Sequence, residues 1–170
     1  MFGDMTRARS TSGVSWHEFR QQRPDLAESG RQLLYQFGVG LAFMSTVRPD
    51  GGPRLHPICP LLTDTGLYAF IIPSPKLADL RRDGRYALHS FPTENDEDAF
   101  YVTGTANVVD SGDLRAQLTS QFLNERAQFN MSEETLVEQS VVEFLIDRCL
   151  VTRTSGHGDE RPRHEIWHLE

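Results

Sequence analysis

One stretch, residues 54–85 (RLHPICPLLTDTGLYAFIIPSPKLADLRRDGR), constrains the fold more than any other because strand patterns alternate in it with strong turn and cap signals. A strand over residues 53–62 carries Arg54 and His56. The tight turn at 64–66 (DTG) reverses the chain, and residues 67–72 form the returning strand. The sequence therefore predicts a hairpin that leads directly into the short helix that follows.

The helix after this hairpin has clear start and stop signals. Ser74 suits the N-cap, and Pro75 suits the first turn, where its missing N–H costs nothing. Arg81 and Arg82 fall in the last turn, where cations are favoured, and Gly84 follows as a left-handed stop. We expect a helix that begins at Pro75 and ends before Gly84.

The start of this helix is a candidate anion site. A helix N-terminus preceded by a serine and carrying a lysine, Lys76, is suited to a phosphate group. If the hairpin folds back as predicted, Arg54 approaches the same place. By charge alone a solvated helix end is the simpler interpretation. We nevertheless predict that this corner holds the phosphate of a bound cofactor.

A second hairpin precedes this stretch. The turn residues PDGG at 49–52 join a strand candidate over 39–47 to the strand over 53–62. Pro57 and Pro60 each remove a ladder donor from the second strand, and proline in sheets is confined to edges and bulges. This strand is therefore predicted to be an edge or to be bulged, which suits a ligand that bonds to main-chain groups.

The remaining patterns complete a mainly β fold. Helices are predicted over 25–37 and 111–126, and a capping box at Ser15–Glu18 starts another. Further strands are predicted over 85–91, 100–109 with an interior Gly104, 141–154 and 163–169. Hairpin spacing dominates, so we expect a small closed or split β-barrel of about six antiparallel strands with peripheral helices. Residues 1–13 are predicted to be a flexible tail and 14–170 a single domain.

Composition narrows the function. The 170 residues carry a net charge of -7, which argues against a nucleic-acid or membrane-surface binder. No apolar run approaches the roughly 18 residues that span a bilayer, and no secretory signal is visible. Cys59 and Cys149 lie in apolar runs without metal spacing, so they are expected to be reduced core thiols of a cytoplasmic protein. No metal site is predicted, and His164 and His168 are too isolated to form one.

The order of elements resembles a known family. The segments STVRPDGGPR, GLYAFIIPSPKLADLRRDGRYALHSF and FYVTGTANVV together are similar to the pyridoxamine 5'-phosphate oxidase-like family of FMN-binding split β-barrels. The resemblance implies a homodimer with FMN at the subunit interface. It assigns Arg54, Ser74 and Lys76 to the phosphate of FMN.

The resemblance also implies a path for the flavin ring and ribityl chain. The backbone segments that would lie along them are those of Leu55, His56, Pro57, Ile58 and Cys59, and of Ala69, Phe70 and Ile71. A cation near N1 and O2 of the ring would stabilise the reduced flavin, and His56 or Arg54 could supply it. In such proteins the cofactor carries the redox chemistry, so no catalytic side chain is assigned.

Two departures from the family pattern bear on the binding of FMN and on the substrate. Pro75 stands where many members have a second basic residue. The chain ends in Trp167-His168-Leu169-Glu170, without the Arg-rich, proline-terminated tail that grips substrate phosphate in the vitamin-forming oxidase. The sequence thus predicts an FMN-dependent oxidoreductase for another small molecule. A deazaflavin or haem protein on the same scaffold, and a non-catalytic flavin carrier or sensor, remain alternatives.

Overall fold

The computed structural model describes residues 13–170, so the predicted tail lies, apart from Gly13, outside the described residues. Within that range the chain forms eight β-strands, four α-helices and two short 3₁₀ turns. The strands are β1 Ala42–Val47, β2 Pro53–Ile58, β3 Pro60–Leu62, β4 Leu67–Ile71, β5 Arg85–Ser90, β6 Ala99–Val109, β7 Ser140–Arg153 and β8 Arg163–His168. The helices are α1 Trp16–Gln22, α2 Pro24–Leu34, α3 Pro75–Arg82 and α4 Gly112–Glu125, and the 3₁₀ turns are Ala127–Phe129 and Glu133–Leu136.

The strands form one antiparallel sheet in the order β2-β1-β5-β6-β7-β4-β3. The two outermost strands, β2 and β3, are separated in the chain by Cys59 alone, so the two ends of the sheet meet. The long β7 pairs with β4 near its start and with β8 near its end. This arrangement confirms the predicted antiparallel split barrel with peripheral helices.

The strand predicted over residues 53–62 is wrong as a single element. It is interrupted at Cys59, so the sheet has eight strands where about six were expected. The prediction that its prolines mark an edge is confirmed, because Pro57 lies in β2 and Pro60 in β3, at opposite ends of the sheet order. A terminal strand is paired on one side only, so a residue without an N–H is tolerated there better than in a central strand.

Gly104 is required where β6 crosses β7. The register shifts between Thr103 and Gly104, and a Cβ on Gly104 would lie 1.9 Å from the carbonyl oxygen of Leu145. No larger residue fits at that separation. The interior glycine predicted to mark a bulge or a close approach therefore marks both.

The core lies between the sheet and the first two helices. The predicted capping box at Ser15 and Glu18 is present at the start of α1. It places Trp16 and Phe19, which are 1% and 0% exposed, against the sheet beside Phe100. A second, smaller apolar cluster joins α4 to β4. Aromatic packing therefore fixes both helical layers to the barrel.

The two cysteines differ in exposure. Cys149 is buried, as predicted, and burial raises the pKa of its thiol to about 12. Cys59 is exposed, which corrects the expectation that both are core thiols. Its apolar neighbours belong to strands that end on either side of it. No helix among the described residues is long and apolar enough to cross a membrane.

Candidate functional site at the start of α3

Helix α3 begins and ends as its sequence predicts. Ser74 occupies the N-cap and Pro75 the first position, while Gly84 follows the C-cap Asp83 with a φ of +81°. The Ser74 hydroxyl does not cap the helix, however. It donates a hydrogen bond of 2.8 Å to the carbonyl oxygen of Ile72, so the first amides of α3 are left without this partner.

A buried carboxylate ties α3 to the sheet. Asp79 is 2% exposed and accepts hydrogen bonds on Oδ2 from Nε of Arg54 at 2.7 Å and from the Thr46 hydroxyl at 2.9 Å. Its Oδ1 accepts from Nη1 of Arg82 at 3.1 Å. Arg82 also donates to the carbonyl oxygen of Val47. The carboxylate thus joins α3 to both β1 and β2.

The hydrogen bonds decide the charge of Asp79. Burial acts to raise the pKa of this carboxyl group, but the donors Arg54, Thr46 and Arg82 together hold it below its ordinary value. Asp79 is therefore ionised at neutral pH. An ionised group with three donors is a satisfied group.

Arg54 is held by one nitrogen and keeps others available. Its Nε is committed to Asp79, and its side chain is 28% exposed. Within residues 13–170, its two terminal nitrogens make no further hydrogen bond. An arginine fork oriented in this way is suited to an anion.

Lys76 is the only lysine in the 170 residues. It is partly buried, and burial lowers the pKa of its ammonium group, while the nearby Cys59 acts in the opposite direction. No hydrogen-bond or ion-pair partner for it is found in the part of the chain that the structure describes. Burying a cation without a partner is costly, so this position is unusual for a purely structural residue.

His56 lies on the same side of β2 as Arg54. Along the strand, Arg54 and His56 are partly buried, whereas Leu55 is 66% exposed and Pro57 is exposed. Nε2 of His56 is shielded from solvent and has no hydrogen-bond partner among the described residues. Burial lowers the pKa of the imidazole, and the charges of Lys76 and Arg54 lower it further.

The β2 residues predicted to contact the cofactor thus divide between two faces. Side chains of Arg54, His56 and the buried Ile58 lie on the face toward α3, while Leu55 and Pro57 lie on the other. Cys59 is exposed at the break between β2 and β3. The structure therefore brings the basic side chains together on the face toward α3. It places the side chains of Leu55 and Pro57 on the opposite face, so only their backbone is near the site.

The side chains of the predicted β4 residues are engaged in packing, so only their backbone is open to a ligand. Ala69 and Ile71 are buried in the core, and the ring of Phe70 packs 5.4 Å from that of Phe122 on α4. The β3–β4 ladder ends at the Pro60–Ala69 pair, so Phe70 and Ile71 pair only with β7. This open backbone edge lies at the break that carries Cys59.

Comparison with solved structures supports the description of the fold. No family model and no curated protein matches the sequence. Among solved structures, the chain is similar to a haem-binding protein from Mycobacterium smegmatis, with TM-score 0.62 and 16% identity over 86% of this chain and 59% of that longer one. It is also similar to HutZ, the haem storage protein from Vibrio cholerae, with TM-score 0.58 and 12% identity over 73% and 89% of the two chains. A third similar structure, a Listeria innocua protein provisionally named pyridoxamine 5'-phosphate oxidase, has TM-score 0.56 and 14% identity over 81% and 95%.

The fold is the pyridoxamine 5'-phosphate oxidase-like split barrel. At these identities the likeness establishes the fold and nothing about ligand or activity. The expectation drawn from the sequence segments is confirmed at that level. The site residues themselves stay a prediction.

The donor set at this corner of the split barrel fits a phosphoryl group. A phosphate needs several N–H donors and compensating positive charge, and Lys76, Arg54 and His56 together offer both. An open cleft of about 520 Å³ runs along α3 beside Ser74, on the side that carries Arg81 and Arg82. Neither Lys76 nor Arg54 lines that cleft, so the candidate site is the group of basic side chains Lys76, Arg54 and His56 and not this cleft.

Asp79 is the residue of this corner that sequence reasoning missed. The signal available was an acidic residue three positions after Lys76, inside a helix otherwise rich in cations. That spacing gives no indication of burial. Its importance follows from Arg54, which is 25 positions away in the chain and reaches it only through the tertiary fold.

Proposed function

We propose that this chain binds FMN, with the phosphate between Lys76 and Arg54, and acts as a flavin-dependent oxidoreductase on a small molecule. The observation that carries the proposal is the Lys76 ammonium group, which is partly buried and has no partner among residues 13–170. Beside it, Asp79 holds Arg54 with its terminal nitrogens unused. A bound phosphate would supply the anion that Lys76 lacks and would accept hydrogen bonds from the unused terminal nitrogens of Arg54.

In this proposal the protein binds and orients, and FMN supplies hydride or electron transfer. Lys76 and Arg54 hold the phosphate. The open backbone edge at Phe70 and Ile71 offers amide and carbonyl groups to the rest of the cofactor. Because the cofactor supplies the chemistry, the site has many hydrogen-bond donors and no side chain assigned to catalysis.

We further propose that the chain is a homodimer through the outer face of the sheet. Directly opposed residues on six neighbouring strands form a continuous, mostly apolar row across this face. They are Pro57, Phe43, His89, Tyr101, Leu150 and Ile166. Ile166 is 51% exposed, and Phe91 stacks on Phe43 with ring centroids 4.3 Å apart. Such an exposed apolar surface is typical of a protein interface.

Haem is the second candidate. The Mycobacterium smegmatis and Vibrio cholerae neighbours are both described as haem proteins. In this chain the unpartnered Nε2 of His56 is an imidazole nitrogen suited to iron, and the cations beside it are suited to haem propionates. A deazaflavin with a phosphate in its side chain would use the same cations as FMN.

Titration of the purified protein with four compounds distinguishes these candidates. We expect FMN to bind with quenching of flavin fluorescence and riboflavin to bind much more weakly, because only FMN has the phosphate. A phosphate-bearing deazaflavin and haemin complete the set. Equal binding of FMN and riboflavin would contradict the phosphate site, whereas a Soret band with haemin, absent in His56→Ala, together with no flavin binding would establish the haem alternative.

A further inference from the structure

His56 lies near two cations that disfavour protonation of its ring. Arg54 precedes it by two positions on the same face of β2, and Lys76 approaches from α3. The residue opposite His56 on β1 is Met44, which is uncharged. Among the groups that act on its pKa, only Asp79 on α3 favours the protonated ring.

Among the described residues, the one acidic group that acts on the pKa of His56 already has partners. Asp79 accepts hydrogen bonds from Arg54, Thr46 and Arg82, at 2.7, 2.9 and 3.1 Å. The imidazole consequently has no counter-ion in this part of the fold, and its Nε2 has no partner among the described residues. An anion placed between Lys76 and Arg54 would offset the two positive charges and favour the protonated ring.

We propose that His56 is the pH-dependent member of the phosphate site: it is neutral in the free protein and takes up a proton when a phosphoryl group binds. This inference rests on the proposed phosphate site and adds a third cation to it. Nε2 is shielded from solvent in the free protein, and the proposal requires the ring to turn so that this nitrogen meets the ligand. Binding of a phosphorylated cofactor is then coupled to proton uptake and is strengthened at mildly acidic pH.

The direct test is the titration of His56 by NMR in the wild-type protein, with its ring signals assigned through the backbone. We expect the pKa of His56 to lie below the ordinary histidine value in the free protein and to rise in the FMN complex. Riboflavin, which lacks the phosphate, leaves it unchanged. A pKa of His56 that FMN does not change would overturn the inference. This test uses the wild-type protein, so it does not depend on the folding of a variant.

The affinity test uses His56→Gln with His157→Gln as a matched control. The side chain of His157 is 62% exposed and lies near Glu97, away from α3. At about pH 6 we expect His56→Gln to weaken FMN binding by about tenfold, and at about pH 8.5 by no more than about twofold, because only the protonated ring makes a charge-assisted contact. Riboflavin binding stays the same in both variants at both pH values.

The outcomes separate the two proposals. If wild-type protein binds FMN and riboflavin equally, or binds neither, the phosphate site itself is wrong and the role of His56 falls with it. Suppose instead that the wild type prefers FMN and that His56→Gln either loses the same affinity at both pH values or loses no affinity. The phosphate site then stands, and the proton-linked role of His56 is refuted.

Discussion

Two buried charged groups in this protein have opposite surroundings. Arg126 is 3% exposed, its guanidinium carbon lies 3.9 Å from the centroid of the Phe122 ring, and its nitrogens donate to Glu125 and to the carbonyl oxygen of Gly40. Glu125 also accepts from the Tyr35 hydroxyl at 3.2 Å. Burial raises the pKa of Tyr35 to about 12, so that hydroxyl keeps its proton. In this network the charged groups Arg126 and Glu125 have partners within the protein, and we call it the closed network.

The Asp79 network is equally buried at its centre but open at its margin. Its carboxylate is fully satisfied, yet the neighbouring Lys76 and His56 have no partner among residues 13–170. Burial of a charge is therefore a poor guide to function, since both networks have it. Basic groups left without partners beside a satisfied carboxylate are the better guide, because a ligand can complete them.

The largest effect expected from this comparison is on stability. Asp79→Ala should lower the free energy of unfolding by about 3 kcal/mol, because it removes the carboxylate that pairs Arg54 and Arg82 and leaves a small cavity. Urea denaturation measures this change. Asp83→Ala, which removes a carboxylate paired with the exposed Arg85, is the control and should cost less than about 1 kcal/mol. Equal losses would mean that the Asp79 network is no more than a surface ion pair.

Lys76 should show the opposite behaviour, with an effect on binding and not on stability. Lys76→Ala should weaken FMN binding by about 1.5–3 kcal/mol, through loss of a charge-assisted contact with the phosphate. The free protein should be unchanged within about 0.5 kcal/mol, since no ion pair is lost. Isothermal titration with FMN and urea denaturation of the free variant provide both numbers. An unchanged dissociation constant would remove Lys76 from the site.

The closed network supplies the matching counter-test. Arg126→Met should reduce stability by about 1–2 kcal/mol, because Met fills much of the volume and Glu125 keeps its donors Tyr35 and Gln121. FMN affinity should not change. The same two measurements apply, and a variant that folds but no longer binds FMN would show that the two networks are coupled.

The smallest effect is on the pH dependence of stability. The folded-state pKa of Asp79 lies below its ordinary value, so its contribution is present above the unfolded-state pKa and is lost as pH falls through the folded-state pKa. The stability difference between wild type and Asp79→Asn should therefore be constant near neutral pH and shrink in acid. Urea denaturation at a series of acidic pH values measures it, and a difference that grows in acid would mean that Asp79 is protonated when folded.

Local signals in the sequence predicted local structure well. The start of α3 at Pro75, the turn before β4 and the bulge at Gly104 depend on dihedral preferences and caps within a few residues. The break at Cys59 was not predicted because an apolar run with prolines does not say where one strand stops and the next begins. The exposure of Cys59 follows from that break.

The sequence by itself therefore determined most of the elements and the position of Lys76 at a helix start, since these depend on short-range spacing. Hairpin spacing and the family resemblance together predicted the split barrel. Only the tertiary structure decided that Asp79 holds Arg54, that His56 turns toward the same corner, and that Leu55 does not. Those contacts join residues far apart in the chain. They exist because the antiparallel sheet closes β2 against α3, and no local pattern encodes which partners that closure brings within hydrogen-bonding distance.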